Sequence, residues 1–219
     1  AGFDIPKLMV GSLGRLGVMT QLTFKVFPKA SSEATLSIAC ESHGKAVDRI
    51  REISRSRWEL DAIDYRANER LIYLRLTGPA EAIDKIAEDI AVKYDATRMS
   101  HEDGKAFWNA LSGLNCFDKS ACLLRVPTTT ASFLQVVEKV PSPDNLLMHL
   151  SVAGGVLWIG GGSDSIGELR QSLKEVGLQG LMIRGPASGC LIGSHLDSDP
   201  ISRLRIAFDP DRKFDQLTL

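Results

Sequence analysis

Aromatic residues are scarce, 6% of 219 positions, and neither sign of charge prevails, with 26 Lys and Arg against 27 Asp and Glu. A near-neutral balance of this kind argues against a nucleic-acid binder, which usually carries a basic face. No apolar run approaches the ~20 residues of a membrane-spanning helix, so no span is expected. The opening residues also lack the charged-then-apolar pattern of a secretory leader. Cysteines number only four, Cys40, Cys116, Cys122 and Cys190, with no CxxC pair and no His at zinc-finger spacing. No metal framework is expected from them, and they read as reduced, packed thiols of a cytoplasmic protein. What is abundant is apolar residue, 44% of the chain, enough for a sizeable core in one large domain or two small ones.

The chain is organised around its first stretch, Gly2 to Pro28. Gly11, Gly14 and Gly17 recur at three-residue intervals and lead into Val18 to Phe27, where apolar and polar residues partly alternate. The pattern predicts a glycine-rich turn feeding a strand. Glycines so spaced allow positive φ or a close approach to the main chain, and successive bared N–H groups can cradle a phosphate. A plain tight loop explains the same spacing. The Rossmann and Walker patterns are both excluded, because no strand precedes, no GxG pair occurs and no Gly-Lys-Ser/Thr follows.

The wording of the stretch is more specific than its spacing. Ala1-Gly2-Phe3-Asp4, Lys7-Leu8, Gly11-Ser12-Leu13-Gly14, Leu16-Gly17-Val18 and Phe27-Pro28-Lys29 resemble the last segment of the flavin domain in FAD-linked oxidases of the vanillyl-alcohol oxidase and p-cresol methylhydroxylase type. That family reads AGYD, KL, GSEGTLGVIT and a strand ending in Phe-Pro or Leu-Pro. Leu13 in place of Glu is similar to the E subunit of bacterial glycolate oxidase. The resemblance implies that Gly14, Arg15, Leu16, Gly17 and Val18 touch bound FAD, although Arg15 stands where Thr is usual. Near the end, Phe208-Asp209-Pro210 resembles the family's closing signature, but Phe214-Asp215-Gln216-Leu217 replaces its Phe-Asn-Pro-Gly.

Beyond Pro28 the periodicities predict an order that occurs twice. Thr35 to Cys40 alternates as a half-buried strand. Ser42 caps a helix with Val47, Ile50 and Ile53 inward. Strands follow around Glu59 to Tyr65 and Leu71 to Leu76, with Asn68 in their turn. Gly78-Pro79 opens a helix with Pro at its first position and Ile83, Ile86, Ile90 and Tyr94 buried. Thr97 to Ser100 closes the unit. A linking helix, Glu102 to Leu114, carries Phe107, Trp108 and Leu111 inward. Then come a strand Ala121 to Val126 and a helix capped by Thr130 with Phe133, Val137 and Val140 inward. Strands Leu146 to Val152 and Val156 to Ile159 flank a Gly154-Gly155 hairpin turn. A helix with a Ser165/Glu168 capping box buries Ile166, Leu169, Leu173 and Val176 and stops at Gly177. A last strand, Leu178 to Ile183, completes the second unit.

Two β-α-β-β-α-β units in series predict an α+β fold, a duplicated ferredoxin-like domain with helices on one side of antiparallel strands. The cap domain of the resembled oxidases has the same two-halved build. The expected division is therefore 1–30 as the terminal segment of an FAD-binding domain and 31–219 as the cap. Within the cap lie a first half at 35–100, a linking helix at 101–119, a second half at 120–185, and a C-terminal helix and tail at 199–219. That last helix is expected to start at Asp199-Pro200 and to turn Ile201, Leu204 and Phe208 inward.

Few residues offer chemistry. D-type members of the family hold a metal with His-x-His, but the matching strand reads Met148-His149-Leu150 with one His only. A lone strand His is more often core or surface than ligand, so no metal is expected. Gly160-Gly161-Gly162-Ser163-Asp164 could cradle a phosphate at a helix start, yet Asp164 would repel it, and a strand-to-helix loop is the better account. Trp158 resembles the Gly-Gly-x-x-Trp of the E subunit's hairpin and equally suits core packing. Arg125 is either a carboxylate clamp or a solvent-face charge.

Two functions of different class follow. In one, the chain is the C-terminal part of an FAD-dependent oxidoreductase acting on a 2-hydroxy acid such as glycolate. Its implied partners are flavin and iron-sulfur subunits of a glycolate oxidase-like complex, and it would be cytoplasmic, at the inner membrane face only through those partners. Because residues 14–18 cannot enclose FAD by themselves, this chain alone is expected to be colourless and inactive, and a longer natural polypeptide is expected. In the other, it is a non-catalytic ferredoxin-like module that binds a ligand or a partner protein.

Overall fold

A computed structural model describes residues 4–12, 14, 16–186, 190–194 and 199–214. The chain divides into two compact units, one of Ala1–Pro28 with His195–Leu219 and one of Lys29–Ser194.

The first unit opens with α1 (Ile5–Met9), which Asp4 caps by accepting the Lys7 N–H at 3.1 Å, with Pro6 in its first turn. The strand expected over Val18 to Phe27 does not form; residues 17–31 have no regular structure. Extended backbone becomes a strand only when a neighbour takes up its N–H and C=O groups, and no described strand pairs with it. Phe24, Val26 and Phe27 accordingly stand exposed.

The second unit is built on a single sheet of nine strands. They are β1 (Ser32–Ala39), β2 (Ala62–Arg66), β3 (Leu71–Gly78), β4 (Thr97–Arg98), β5 (Cys122–Pro127), β6 (Leu147–Ser151), β7 (Val156–Gly161), β8 (Gln179–Arg184) and β9 (Leu191–Gly193). Every pairing is antiparallel, and the spatial order is β4-β1-β3-β2-β6-β7-β5-β8-β9. Helices α2 (His43–Ser54) and α3 (Ala80–Tyr94) alternate with the first strands, and α5 (Thr130–Lys139) and α6 (Ser163–Val176) with the later ones. The order β-α-β-β-α-β therefore runs twice. The two runs meet where Tyr65 pairs with Leu150 and Arg66 with His149, across β2 and β6.

Strand alternation decides what each face buries. Leu36, Ile38, Ile63, Tyr65, Ile72, Leu74, Leu124, Val126, Met148, Leu150, Leu157 and Ile159 share one core with the inward stripes of α2, α3, α5 and α6. The linking helix, α4 (His101–Ser112), packs its Phe107 and Trp108 on Tyr73 in a separate small cluster. Tyr73 lies between Ile72 and Leu74 and so points the other way, which puts α4 on the opposite face. Trp108 Nε1 donates to Thr35 Oγ1 at 2.9 Å and fixes α4 there.

Several element ends differ from expectation. Pro79 is the N-cap of α3 in extended geometry rather than its first helical residue. Thr129, not Thr130, caps α5, because its hydroxyl reaches the Ser132 N–H at 3.1 Å. Helix α6 starts at Ser163 behind Gly162 with no side-chain cap, so Ser165 and Glu168 form no capping box. Gly160 and Gly161 are strand residues paired with Leu123 and Cys122, not loop. Ser151 pairs with Val156, which leaves a four-residue connection over 152–155 instead of a two-residue Gly154-Gly155 turn.

In the first unit, α7 (Asp199–Phe208) follows the sheet in sequence. Leu204 and Phe208 remain 37% and 38% exposed rather than inward; the side chain of Ile201 lies outside the described residues. Buried Asp209 stops the helix, its two carboxylate oxygens accepting the Lys213 and Phe214 N–H groups at 2.7 and 2.8 Å.

Candidate functional site

Of the five residues linked by resemblance to a flavin, Gly14 and Val18 are exposed and Leu16 and Gly17 half-buried, while Arg15 lies outside the described residues. Gly14 holds φ +75° and a Cβ built on it would meet nothing within 4 Å; Gly17 holds φ +157° with only Met9 Cε near, at 3.6 Å. Left-handed backbone with open space beside it is what glycine supplies. The turn thus presents bare main chain to whatever lies against it.

A second constellation sits at the seam of the sheet. On the α4 face of β2, Asp64 and Arg66 flank buried Tyr65, which points into the main core. His149 of β6 pairs with Arg66 and is diagonal to Asp64, a separation long side chains bridge. His149 Nε2 lies 2.8 Å from Asp64 Oδ2, with the two residues only 2% and 5% exposed. Buried polar groups are almost always paired, yet His149 Nδ1 has no partner among the described residues. A neutral ring that donates from Nε2 to the carboxylate keeps Nδ1 as an acceptor. With Nε2 donating, the carboxylate holds one side of the ring and leaves Nδ1 as an acceptor enclosed by the protein.

His149 lines a cavity of about 80 Å³ with Arg66, Asn68, Glu69, Cys116, Phe117, Leu147 and Met148. Arg66 Nη1 is 2.7 Å from Glu69 Oε1, and its guanidinium lies 4.7 Å over the Phe107 ring. Tyr73 stacks on Phe107 at 4.0 Å between centroids and donates to Glu69 Oε2 at 2.8 Å. Burial, with the hydrogen bond to Glu69, pushes the Tyr73 phenol up to about 12. Burial also pushes the Cys116 thiol up, with Arg66 pulling the other way. Asn68 locks the rim, donating to Leu146 O at 2.8 Å and accepting the Met148 N–H at 2.9 Å. Phe117 can close over β7 only because Gly160 is there: a Cβ would meet Phe117 Cδ1 at 2.6 Å and Ser120 Oγ at 2.5 Å.

His149 stands out in the sequence as a lone strand His, while its partner Asp64 does not. The signal for Asp64 was a carboxylate amid Ile63 and Tyr65, in a strand whose two faces are both covered. Trp158 pairs with His149 and Arg125, half-buried on the same face. All four cysteines are free thiols, and among the described residues no three of His, Cys, Asp and Glu gather as a metal site. A larger basin of about 600 Å³ runs between α4 and β1 and β3, but Arg75 and Glu33 in it already pair, at 3.2 Å. Among the described residues no helix is long and apolar enough to cross a membrane.

No protein-family model matches the chain, and neither does any curated protein.

Proposed function

We propose that the chain is the cap domain and closing flavin segment of an FAD-linked oxidoreductase, most like the C-terminal part of the glycolate oxidase E subunit. The observation that carries this reading is the β-α-β-β-α-β order run twice through one antiparallel sheet. It reads as two ferredoxin-like halves joined at β2 and β6, standing behind a segment worded like the family's last flavin stretch. On this reading residues 1–30 belong to the FAD-binding domain and 31–219 to the cap, with the partners flavin and iron-sulfur subunits of a cytoplasmic complex.

The turn fits a nucleotide in one respect. Gly14 and Gly17 hold positive φ, and no described atom occupies the space a Cβ of Gly14 would fill. Gly14, Arg15, Leu16, Gly17 and Val18 would hold one side of FAD, which when bound supplies acceptance of a hydride from a 2-hydroxy acid. The protein's share is to orient that acid and exclude water from it.

Two departures favour a second reading, a non-catalytic subunit that keeps the fold. They are Arg15 for Thr, and Gln216-Leu217 where the family has Pro-Gly. The absorbance spectrum of this chain mixed with FAD and passed through gel filtration tests the first reading's account of the fragment, which expects no retained flavin. Co-expression with an upstream flavin lobe and D-type and F-type partners then separates the two. Flavin bound and reduced by a 2-hydroxy acid supports the enzyme; assembly without flavin supports the interaction subunit.

A further inference from the structure

We propose that the two halves of the sheet-bearing unit meet at an acid-sensitive joint, in which protonation of His43 drives its ring from between Tyr65 and Phe133 and frees α2 from α5. This owes nothing to the flavin reading. The strands contribute little to the joint, since β2 and β6 share only the pairs Tyr65–Leu150 and Arg66–His149. On the helix side, His43 opens α2. Its half-buried ring stands edge-on to Tyr65 of its own half and to Phe133 of the other, each at 6.0 Å between centroids. A second tie is Arg51 Nε, which donates to Thr130 Oγ1 of α5 at 2.9 Å.

The hydrogen bond that seats the ring works only while the ring is neutral. His43 Nδ1 lies 2.7 Å from the hydroxyl of Tyr65, a residue 0% exposed whose hydroxyl has no other partner among the described residues. A neutral ring accepts the phenol proton at Nδ1 and carries its own on Nε2. An imidazolium has two donors and no acceptor, so the buried Tyr65 O–H would be left with its bond unmade. The surroundings add to that cost. A cation in the first turn of a helix opposes the helix dipole, and Arg70 of the β2–β3 turn lines the same cavity of about 110 Å³ as a like charge. Glu41 and Lys45, beside His43 in sequence, are of opposite sign, and Phe133 and Val137 of α5 carry no charge. Asp144, ahead of β6 and on the same cavity, is exposed to water that screens it. Burial first, and Arg70 after it, hold the imidazole below its ordinary value of 6.5. A ring swung out to water regains that value, so the joint is fully held above pH 6.5 and yields as the pH falls below it.

The test is hydrogen exchange of the 219-residue chain between about pH 7.5 and about pH 5, with the intrinsic chemical rate divided out. Peptides over residues 40–47 and 130–137 should open more as the pH falls below 6.5, by up to about tenfold per unit, while those over residues 71–78 of β3 keep their protection. His43→Gln, whose amide oxygen still accepts the Tyr65 proton but does not titrate, should hold the joint closed across the range. The other histidines and the carboxylates titrate in both proteins and cancel from the difference. Should that variant fail to fold, the wild-type ring decides, its ¹⁵N shifts titrating below the ordinary value. Equal acid dependence in the two proteins, joint peptides as protected at the acid end as at the neutral one, or a His43 ring that titrates at or above 6.5 overturns the proposal.

Discussion

Asp64 on β2 and His149 on β6 hold a 2.8 Å hydrogen bond across the one seam that joins the two runs of the sheet, and both side chains are buried. Removing either partner strands the other in a poorly solvated place. Asp64→Leu or His149→Leu should each lower unfolding free energy by about 2–3 kcal/mol. The double substitution should cost clearly less than the sum, because no polar group is then left unpaired. Urea unfolding of the four proteins measures this, and additivity would show that the pair contributes nothing as a pair.

Two glycines in the same half make opposite predictions. Gly160→Ala drives a methyl into Phe117 and Ser120 and should destabilise by about 1–3 kcal/mol, as overpacking does. Gly167 lies inside α6, where a Cβ meets nothing within 4 Å. Gly167→Ala should stabilise by about 0.5–1 kcal/mol. A thermal midpoint that rises for Gly160→Ala would contradict the packing of Phe117 on β7, and one that falls for Gly167→Ala would contradict the open helix position.

Periodicity made most of the sheet and its helices legible, since Val47, Ile50 and Ile53, or Ile166, Leu169 and Leu173, repeat at helical spacing and are all buried. Two kinds of information were not. Local signals misplaced starts at Ser165 and Gly154-Gly155, because strand pairing, not the turn residues, set where β7 ends and where the 152–155 connection begins, and at Thr130, because the Thr129 hydroxyl takes the Ser132 N–H. The candidate site was only half visible. His149 could be singled out as a lone strand His, but its bond to Asp64 depends on β6 lying next to β2, 85 residues away in the chain. Nor does the alternation of Val18 to Phe27 carry its own pairing partner, so a strand-like pattern remains without a strand.

Gly17→Val tests the resemblance where it is most specific. At φ +157° a β-branched residue is strained, but Gly17 belongs to the unit of Ala1–Pro28 and His195–Leu219, not to the unit that contains the sheet. The main unfolding transition of the 219-residue chain should therefore move by no more than about 0.5 kcal/mol. In a flavin-loaded form that includes an upstream lobe, the same change should abolish FAD retention, read from absorbance after gel filtration. Loss of the main transition would make Gly17 a structural turn first; retained FAD would remove it from the cofactor's neighbours.

Tyr73 gives the chain a defined weakness at alkaline pH. Its phenol, normally near 10, is pushed up to about 12, first by burial and then by its hydrogen bond to Glu69. Below pH 10 the folded and unfolded states both keep the proton, and the stabilising effect is whole. Between 10 and 12 only the folded state keeps it, so unfolding releases a proton and stability falls with rising pH, by roughly 1.4 kcal/mol per unit and about 2–3 kcal/mol in all. Tyr73→Phe removes the titration and, at neutral pH, the bond to Glu69, costing about 1 kcal/mol. Tyr65 and Tyr94, also raised by burial, titrate in both proteins and cancel from the difference. The variant should therefore be the less stable protein at pH 7 and the more stable one near pH 11.5, with the curves crossing between. Urea midpoints across that range measure the crossing, and a constant gap would mean that the Tyr73 hydroxyl does not hold its proton in the fold.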